Sequence, residues 1–234
     1  MICHKHKCIF IHIAKCAGTS VENAFGFYIN TPGALEAHLG WDEKHKLYRQ
    51  HATPQQLIDL GILNRQHWDS YYKFIIYRNS WSKLISDFFW ISQTHKIQDS
   101  FENFLLKRGK FFKILNNTSQ SDYCGDHLYL QKDYFFLDGD QIKYDTVIDF
   151  NNISEGFYKV IKDLNLNSDF FAEKRNAARQ QKKHYSHYYT LKTKRLVQKL
   201  YLKDINYFNF KFINKTDRPM ILHRKKSNLI DFKD

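Results

Sequence analysis

The sequence predicts an α/β fold with a central parallel sheet flanked by helices. Short apolar runs of strand length recur at Cys8 to Ile13 (CIFIHI), Lys73 to Tyr77 (KFIIY) and Asp145 to Phe150 (DTVIDF). They are continuous rather than alternating, as suits strands buried on both faces. Each is followed by a segment of helical period, and such alternation favours a parallel sheet with right-handed crossovers. The composition agrees: 43% of the 234 residues are hydrophobic and 17% aromatic, against 9 Gly and 3 Pro. That excludes global disorder and collagen-like character. A chain of this length buries about 70% of its unfolded surface and needs no disulfide scaffold.

The elements follow in order. The first run stops at Ala14 to Ser20, a loop of small residues, and a helix then puts Val21, Ala24, Phe25 and Tyr28 on one face, with Thr19 or Ser20 as cap. Residues 30 to 50 are polar and irregular. Thr53 caps a helix with Pro54 at its first position and Leu57, Ile58 and Leu60 on its apolar face; Gly61 ends it. After the second run come Arg78 and Asn79. Ser80 then caps a helix striped by Trp81, Leu84, Ile85, Phe88 and Phe89. Asp99 and Glu102 mark a helix start around Phe101, Phe104 and Leu105, and residues 109 to 127 read as loop. Ser154 caps a helix carrying Phe157, Val160, Ile161 and Leu164. The last helix runs from about Tyr188 to Lys203, with Leu196, Val197, Leu200 and Tyr201 inward. No repeat or linker divides the chain, so residues 1–234 are expected to form one domain with a charged tail over 213–234.

The formal net charge of +12 favours an anionic partner: nucleic acid, a phosphorylated cofactor, an acidic glycan or an anionic membrane. Basic residues concentrate at Lys174, Arg175, Arg179, Lys182 and Lys183, a pattern that a solvated face also produces. Cys3, Cys8, Cys16 and Cys124 are irregularly spaced and imply no disulfide framework. Cys3 and Cys8 lie with His4 and His6, but no second ligand cluster has matching spacing, so no metal is expected. No stretch approaches the ~20 apolar residues that cross a bilayer, and no signal-type apolar segment precedes the first strand. The expectation is a soluble cytoplasmic protein with reduced thiols.

Ligands of open parallel sheets bind where strands finish. Two ends stand out. At Lys15 to Ser20 a strand feeds a small-residue loop and a helix, so backbone N–H groups, the helix dipole, the Lys15 cation and the Thr19 and Ser20 hydroxyls converge on one point. Gly18 lets the backbone come close to an anion. This suits a phosphate or phosphosulfate, yet it is no Walker A loop, because Lys precedes the turn and only one Gly is present. A strand–helix connection with an exposed Lys would look the same. At the second end, Arg78 offers a forked, permanently charged donor set, and Ser86 follows about two helical turns on, with Ser82 a rival on the same face.

These residues carry a resemblance. Phe10-Ile11-His12-Ile13-Ala14-Lys15-Cys16-Ala17-Gly18-Thr19-Ser20 resembles the 5′-phosphosulfate loop of sulfotransferases, F-x-H-x-P-K-[TC]-[GA]-G-T-S. Phe74 to Ser86 resembles their 3′-phosphate motif, R-N-P-[WY]-x-R-x-x-S. The match is nearest to the carbohydrate branch that includes heparan sulfate 2-O-sulfotransferase and its bacterial relatives. Arg49-Gln50-His51-Ala52-Thr53, Asp149-Phe150 and Tyr185 to Phe210 agree with that branch, so the resemblance covers roughly residues 8 to 212. Ala14, Ser80 and Lys83 depart from the usual Pro, Pro and Arg.

The resemblance implies a P-loop-like three-layer fold. It also implies sulfuryl transfer from 3′-phosphoadenosine 5′-phosphosulfate to a hydroxyl of a carbohydrate or glycolipid, with no metal. Lys15 is then assigned to the leaving phosphate. Cys16, Ala17, Gly18, Thr19 and Ser20 hold the 5′-phosphate end, Arg78 and Ser86 the 3′-phosphate, and His51 is the base, since imidazole is a side chain suited to proton abstraction near neutrality. His12, on the strand, reads as a packed supporting group. Trp41 is a candidate for stacking on a sugar, and Arg179, Lys182 and Lys183 for closing over the donor or binding an acidic glycan. No nucleic acid is expected, and the chain leaves room for peripheral membrane contact. Two other classes compete: an ATP-dependent kinase of related fold, and a non-catalytic basic module that binds glycan or nucleic acid. The missing Walker A pattern and the 3′-phosphate motif argue against the first, and the second explains the charge but not two ordered motifs at strand ends.

Overall fold

The computed structural model describes residues 1–29, 31–172 and 183–216. Lys174, Arg175, Arg179, Lys182 and the tail from Asp217 lie outside the described residues; Lys183 is exposed. In chain order the strands are β1 (Ile2–Cys3), β2 (Cys8–Ile11), β3 (Trp41–Asp42), β4 (Leu47–Tyr48), β5 (Tyr72–Tyr77), β6 (Phe136–Leu137), β7 (Asp140–Gln141) and β8 (Thr146–Asp149). The helices are α1 (Gly18–Ala24), α2 (Pro54–Asp59), α3 (Arg65–Ser70), α4 (Ser80–Thr94), α5 (Phe101–Leu105), α6 (Phe112–Asn116), α7 (Ile153–Asp163), α8 (Leu191–Leu200) and α9 (Leu202–Tyr207). The chain divides into two compact units, Met1–Arg78 with Gln131–Ala177, and Asn79–Leu130 with Ala178–Asp234.

The first unit is α/β and holds a four-stranded sheet of order β1-β2-β5-β8. Pairs β2–β5 and β5–β8 are parallel, in the registers Ile11↔Ile75 and Tyr77↔Asp149. The sheet is mixed rather than wholly parallel, because β1 folds back antiparallel onto β2 through the polar turn at 4–7. All four residues of β2 and the centre of β5 are buried, as continuous apolar runs require. Edge strand β8 instead alternates, with Val147 48% exposed between buried Thr146 and Ile148. Helix α7 lies close against β8, because a side chain at Gly156 would meet Ile148 at 2.4 Å. The Tyr72 hydroxyl ties the layers, donating to Asp163 at 2.7 Å and bonding the Thr146 hydroxyl at 2.6 Å.

Local sequence explains most boundaries. Thr53 and Gln56 form a reciprocal capping box on α2, with Pro54 at its first position. Helix α1 is shorter than its apolar pattern, and Tyr28 lies beyond it, exposed. The expected irregular stretch 30–50 contains the β3–β4 ladder and a 3₁₀ turn, Arg49–His51. Asp42 organises it, accepting from the Lys44 and His45 backbone, the His45 ring and the Arg49 side chain. Burial alone would raise its carboxyl, but these bonds hold it well below the usual carboxylate range.

The second unit is helical around an aromatic core of Trp81, Phe88, Phe101, Phe104, Phe111, Tyr189 and neighbours. Asn79, not Ser80, caps α4, accepting from the Trp81 N–H. Ser154 likewise does not cap α7, which starts at Ile153 after Asn152. Residues 109–127 are not open loop: Phe111, Ile114 and Leu115 are buried on short helical turns. The last predicted helix breaks at Tyr201, whose hydroxyl donates to the Leu128 carbonyl. Among the described residues no helix is long and apolar enough to cross a membrane.

Candidate active site

Strands β2 and β5 run parallel with Ile11 beside Ile75, so continuing that register brings the chain around Lys15 level with Arg78. The contact is direct: Arg78 Nη1–H donates to the Lys15 carbonyl at 3.0 Å. The guanidinium also lies over the Phe150 ring, 4.3 Å from its centroid, which braces it from a second side. Lys15 and Arg78 are both half-buried.

The loop itself is strained. Lys15 and Ala17 take left-handed backbone conformations, φ 61° and 63°. Non-glycine residues there cost on the order of 1–3 kcal/mol each and persist only where their surroundings hold them. Cys16, between them, is buried. Such alternation turns successive N–H groups into one concavity, the geometry of an anion nest. Helix α1 begins at Gly18 behind Ala17, with no capping side chain, so neither Thr19 nor Ser20 is the cap expected from the sequence. In its first turn the Ser20 N–H donates to the Ala17 carbonyl at 3.1 Å, so the N–H groups of Ala17, Gly18 and Thr19 are the ones left without an acceptor inside the helix.

Behind the loop lies a buried polar stack. His12 Nδ1 meets Glu22 Oε1 at 2.8 Å, with both residues at most 5% exposed. Burial pushes the His12 ring below its ordinary value, so the neutral ring donates Nδ1–H to the carboxylate. Burial alone would raise Glu22, but His12 holds it down. The other edge of the ring fills the space above Gly18: a Cβ there would sit 1.9 Å from His12 Nε2. Gly18 is thus required by a side chain packed behind it, a constraint the sequence reading attributed to anion approach alone. The His51 ring stands edge-on to His12, centroids 4.9 Å apart, and its carbonyl accepts from the Tyr134 hydroxyl at 2.7 Å. His51 is buried, on the 3₁₀ turn before α2.

Ser86 and Lys83 belong to the second unit, both buried on α4. Lys83 pairs with Asp87 at 2.8 Å and donates to the His127 carbonyl, while His127 Nδ1 meets the other Asp87 oxygen at 2.8 Å. Asp87 is fully buried; that alone would raise it, yet Lys83 and His127 lower it. Lys83 is therefore the counter-charge of an interior carboxylate.

The family model described as Sulfotransferase family matches residues 1–211. The chain belongs to the sulfotransferase family. No curated protein and no solved structure matches it.

Within this sulfotransferase the first unit gathers most of the residues singled out from sequence: Lys15 to Ser20 at the end of β2, Arg78 at the end of β5, and His51 against His12. Other candidates go elsewhere. Trp41 is half-buried and bonds Glu43 while packing edge-on to Tyr48. Cys3 and Cys8 are cross-strand partners with free thiols, and the proximity of the two thiols lowers the Cys3 pKa to about 6 and raises that of Cys8. His4 turns to the Tyr71 hydroxyl and His6 to Phe25, so these four residues are not gathered around one point.

Three residues that contact these candidates escaped the sequence reading: Glu22, Gln131 and Tyr134. Glu22 had a signal, since it lies three residues before Phe25 on the face of α1 that turns inward. Gln131 and Tyr134 had none. They sit on a 3₁₀ turn, Gln131–Phe135, that has no periodicity to read.

Proposed function

We propose that this sulfotransferase takes 3′-phosphoadenosine 5′-phosphosulfate as donor and a hydroxyl of a carbohydrate or glycoconjugate as acceptor. The observation that carries the reading is the bond between Arg78 and the Lys15 carbonyl. The two motif segments meet at the ends of adjacent parallel strands, one offering a nest of N–H groups with a lysine, the other a braced guanidinium. Such a pair suits a nucleotide with one anionic group on each side of its ribose. The fully buried apolar floor of β2 and β5 supports it by lowering the local dielectric.

In this reading the N–H groups of Ala17, Gly18 and Thr19, with the Thr19 and Ser20 hydroxyls, orient the 5′-phosphosulfate. The acceptor oxygen attacks sulfur in line as the bridging sulfur–oxygen bond breaks. Lys15 neutralises the charge that collects on the departing phosphate oxygen. His51 takes the acceptor proton, with its ring held by His12 and its backbone by Tyr134. Arg78 grips the 3′-phosphate, the group that separates this donor from ATP. The net charge of +12 favours an anionic acceptor such as an acidic glycan. In the same reading the enzyme belongs to the carbohydrate branch of the family and acts in the cytoplasm.

Thermal unfolding with adenosine 3′,5′-bisphosphate, and separately with ATP and Mg²⁺, tests the donor. Stabilisation by the bisphosphate alone supports the reading, and stabilisation by ATP alone replaces it with a kinase. A labelled-donor screen against polysaccharides then identifies the acceptor.

A further inference from the structure

We infer that Gln131 is a positioning residue that sets the 3′-phosphate grip of Arg78; this rests on the donor reading above. Arg78 is the residue just past the end of β5, where the ladder to β8 has finished at Tyr77↔Asp149. Its peptide N–H and C=O still require partners in a half-buried setting. Gln131 supplies both with one side chain. The Arg78 N–H donates to Gln131 Oε1 at 2.9 Å, and Gln131 Nε2–H donates to the Arg78 carbonyl at 2.7 Å. The amide thus acts as one further peptide group of a neighbouring strand. The same Oε1 lies 3.9 Å from Cys16 Sγ, a weak thiol bond from the middle of the Lys15 loop. One amide therefore touches both halves of the candidate site.

The chemistry selects this residue type. A carboxylate accepts from the N–H but cannot donate to the carbonyl, a lysine or arginine cannot accept, and asparagine is one methylene short. Gln131 is 1% exposed, so its amide is not spare surface polarity. Its own position is fixed as well. Three residues on, Tyr134, also 1% exposed, donates its hydroxyl to the His51 carbonyl and receives the Tyr144 hydroxyl on its own carbonyl at 2.6 Å. The turn that carries Gln131 is therefore anchored beside the base as it aligns the anion-binding arginine.

Gln131→Glu and the near-isosteric Gln131→Met, each in the full chain, test this by calorimetric titration with adenosine 3′,5′-bisphosphate and with adenosine 5′-monophosphate. The positioning role predicts bisphosphate affinity lower by about tenfold or more, with monophosphate affinity changed less than about threefold. Equal losses for both ligands, or no loss in whichever variant retains the unliganded melting profile, overturn it. Failure of the unsubstituted chain to bind the bisphosphate at all overturns the donor reading instead, and this role with it.

Discussion

Gly18→Ala is the sharpest test of how the loop is built. The added Cβ would lie 1.9, 2.0 and 2.2 Å from His12 Nε2, Cδ2 and Cε1, against an ordinary contact of 3.4 Å or more. The ring cannot simply swing away, because Nδ1 is bound to Glu22 at 2.8 Å and the ring packs against His51. Relief must come either from moving the loop or from breaking the buried bond. Overpacking of this kind costs about 1–3 kcal/mol, and losing a hydrogen bond to a buried charge about 1.5–3 kcal/mol. The expected destabilisation is therefore about 3 kcal/mol, or roughly 6–12 °C in Tm for a chain of this size. A double-mutant cycle isolates the cause. His12→Ala leaves Glu22 buried and unpaired and is destabilising alone, but Gly18→Ala should add little to it, because the clash has gone. Denaturant unfolding of the four proteins gives the coupling, expected at about 1–3 kcal/mol. A Gly18→Ala melt within 2 °C of the parent on the order of its error, or strict additivity with His12→Ala, would refute the packing argument.

Other expectations follow from the same contacts. Lys15→Ala should abolish transfer in a labelled-donor assay while the melting curve persists, and Arg78→Ala should weaken calorimetric binding of adenosine 3′,5′-bisphosphate by about 10–100-fold; normal turnover or unchanged affinity removes the residue from the site. His51→Gln should lower kcat by about 10²–10⁴ with little change in donor KM, since general-base catalysis supplies that range; an equal change in both parameters argues for a binding role. His38 gives the pH test. It is 7% exposed, neither ring nitrogen has a hydrogen-bond partner, and burial pushes it down to about 3. Because the folded value lies below the unfolded 6.5, its stability contribution is complete above that value and is lost as pH falls from there toward 3. Unfolding free energies at pH 7 and pH 5 should differ by about 2 kcal/mol more in the parent than in His38→Phe; equal differences would contradict the assignment.

Local patterning settled much of this protein. Runs such as KFIIY name their own strand, because only a segment buried on both faces needs apolar side chains throughout. Thr53-Pro54 and Gln56 write their helix start into four residues, since a cap is a bond between near neighbours. The two strand ends at Lys15 and Arg78 were likewise legible, because an uninterrupted apolar run stops where its strand does, whereas His51 was singled out by the resemblance alone. Tertiary structure alone decided what these residues do to one another. Nothing local says that Gly18 exists to seat a histidine from the preceding strand, that His127 answers the interior Asp87 forty residues before it, or that an amide more than fifty residues from Arg78 completes its strand. Periodicity reports which face of an element is buried, but not which polar group waits on the far side. Those partners are found only when the chain closes and every buried donor and acceptor must be paired.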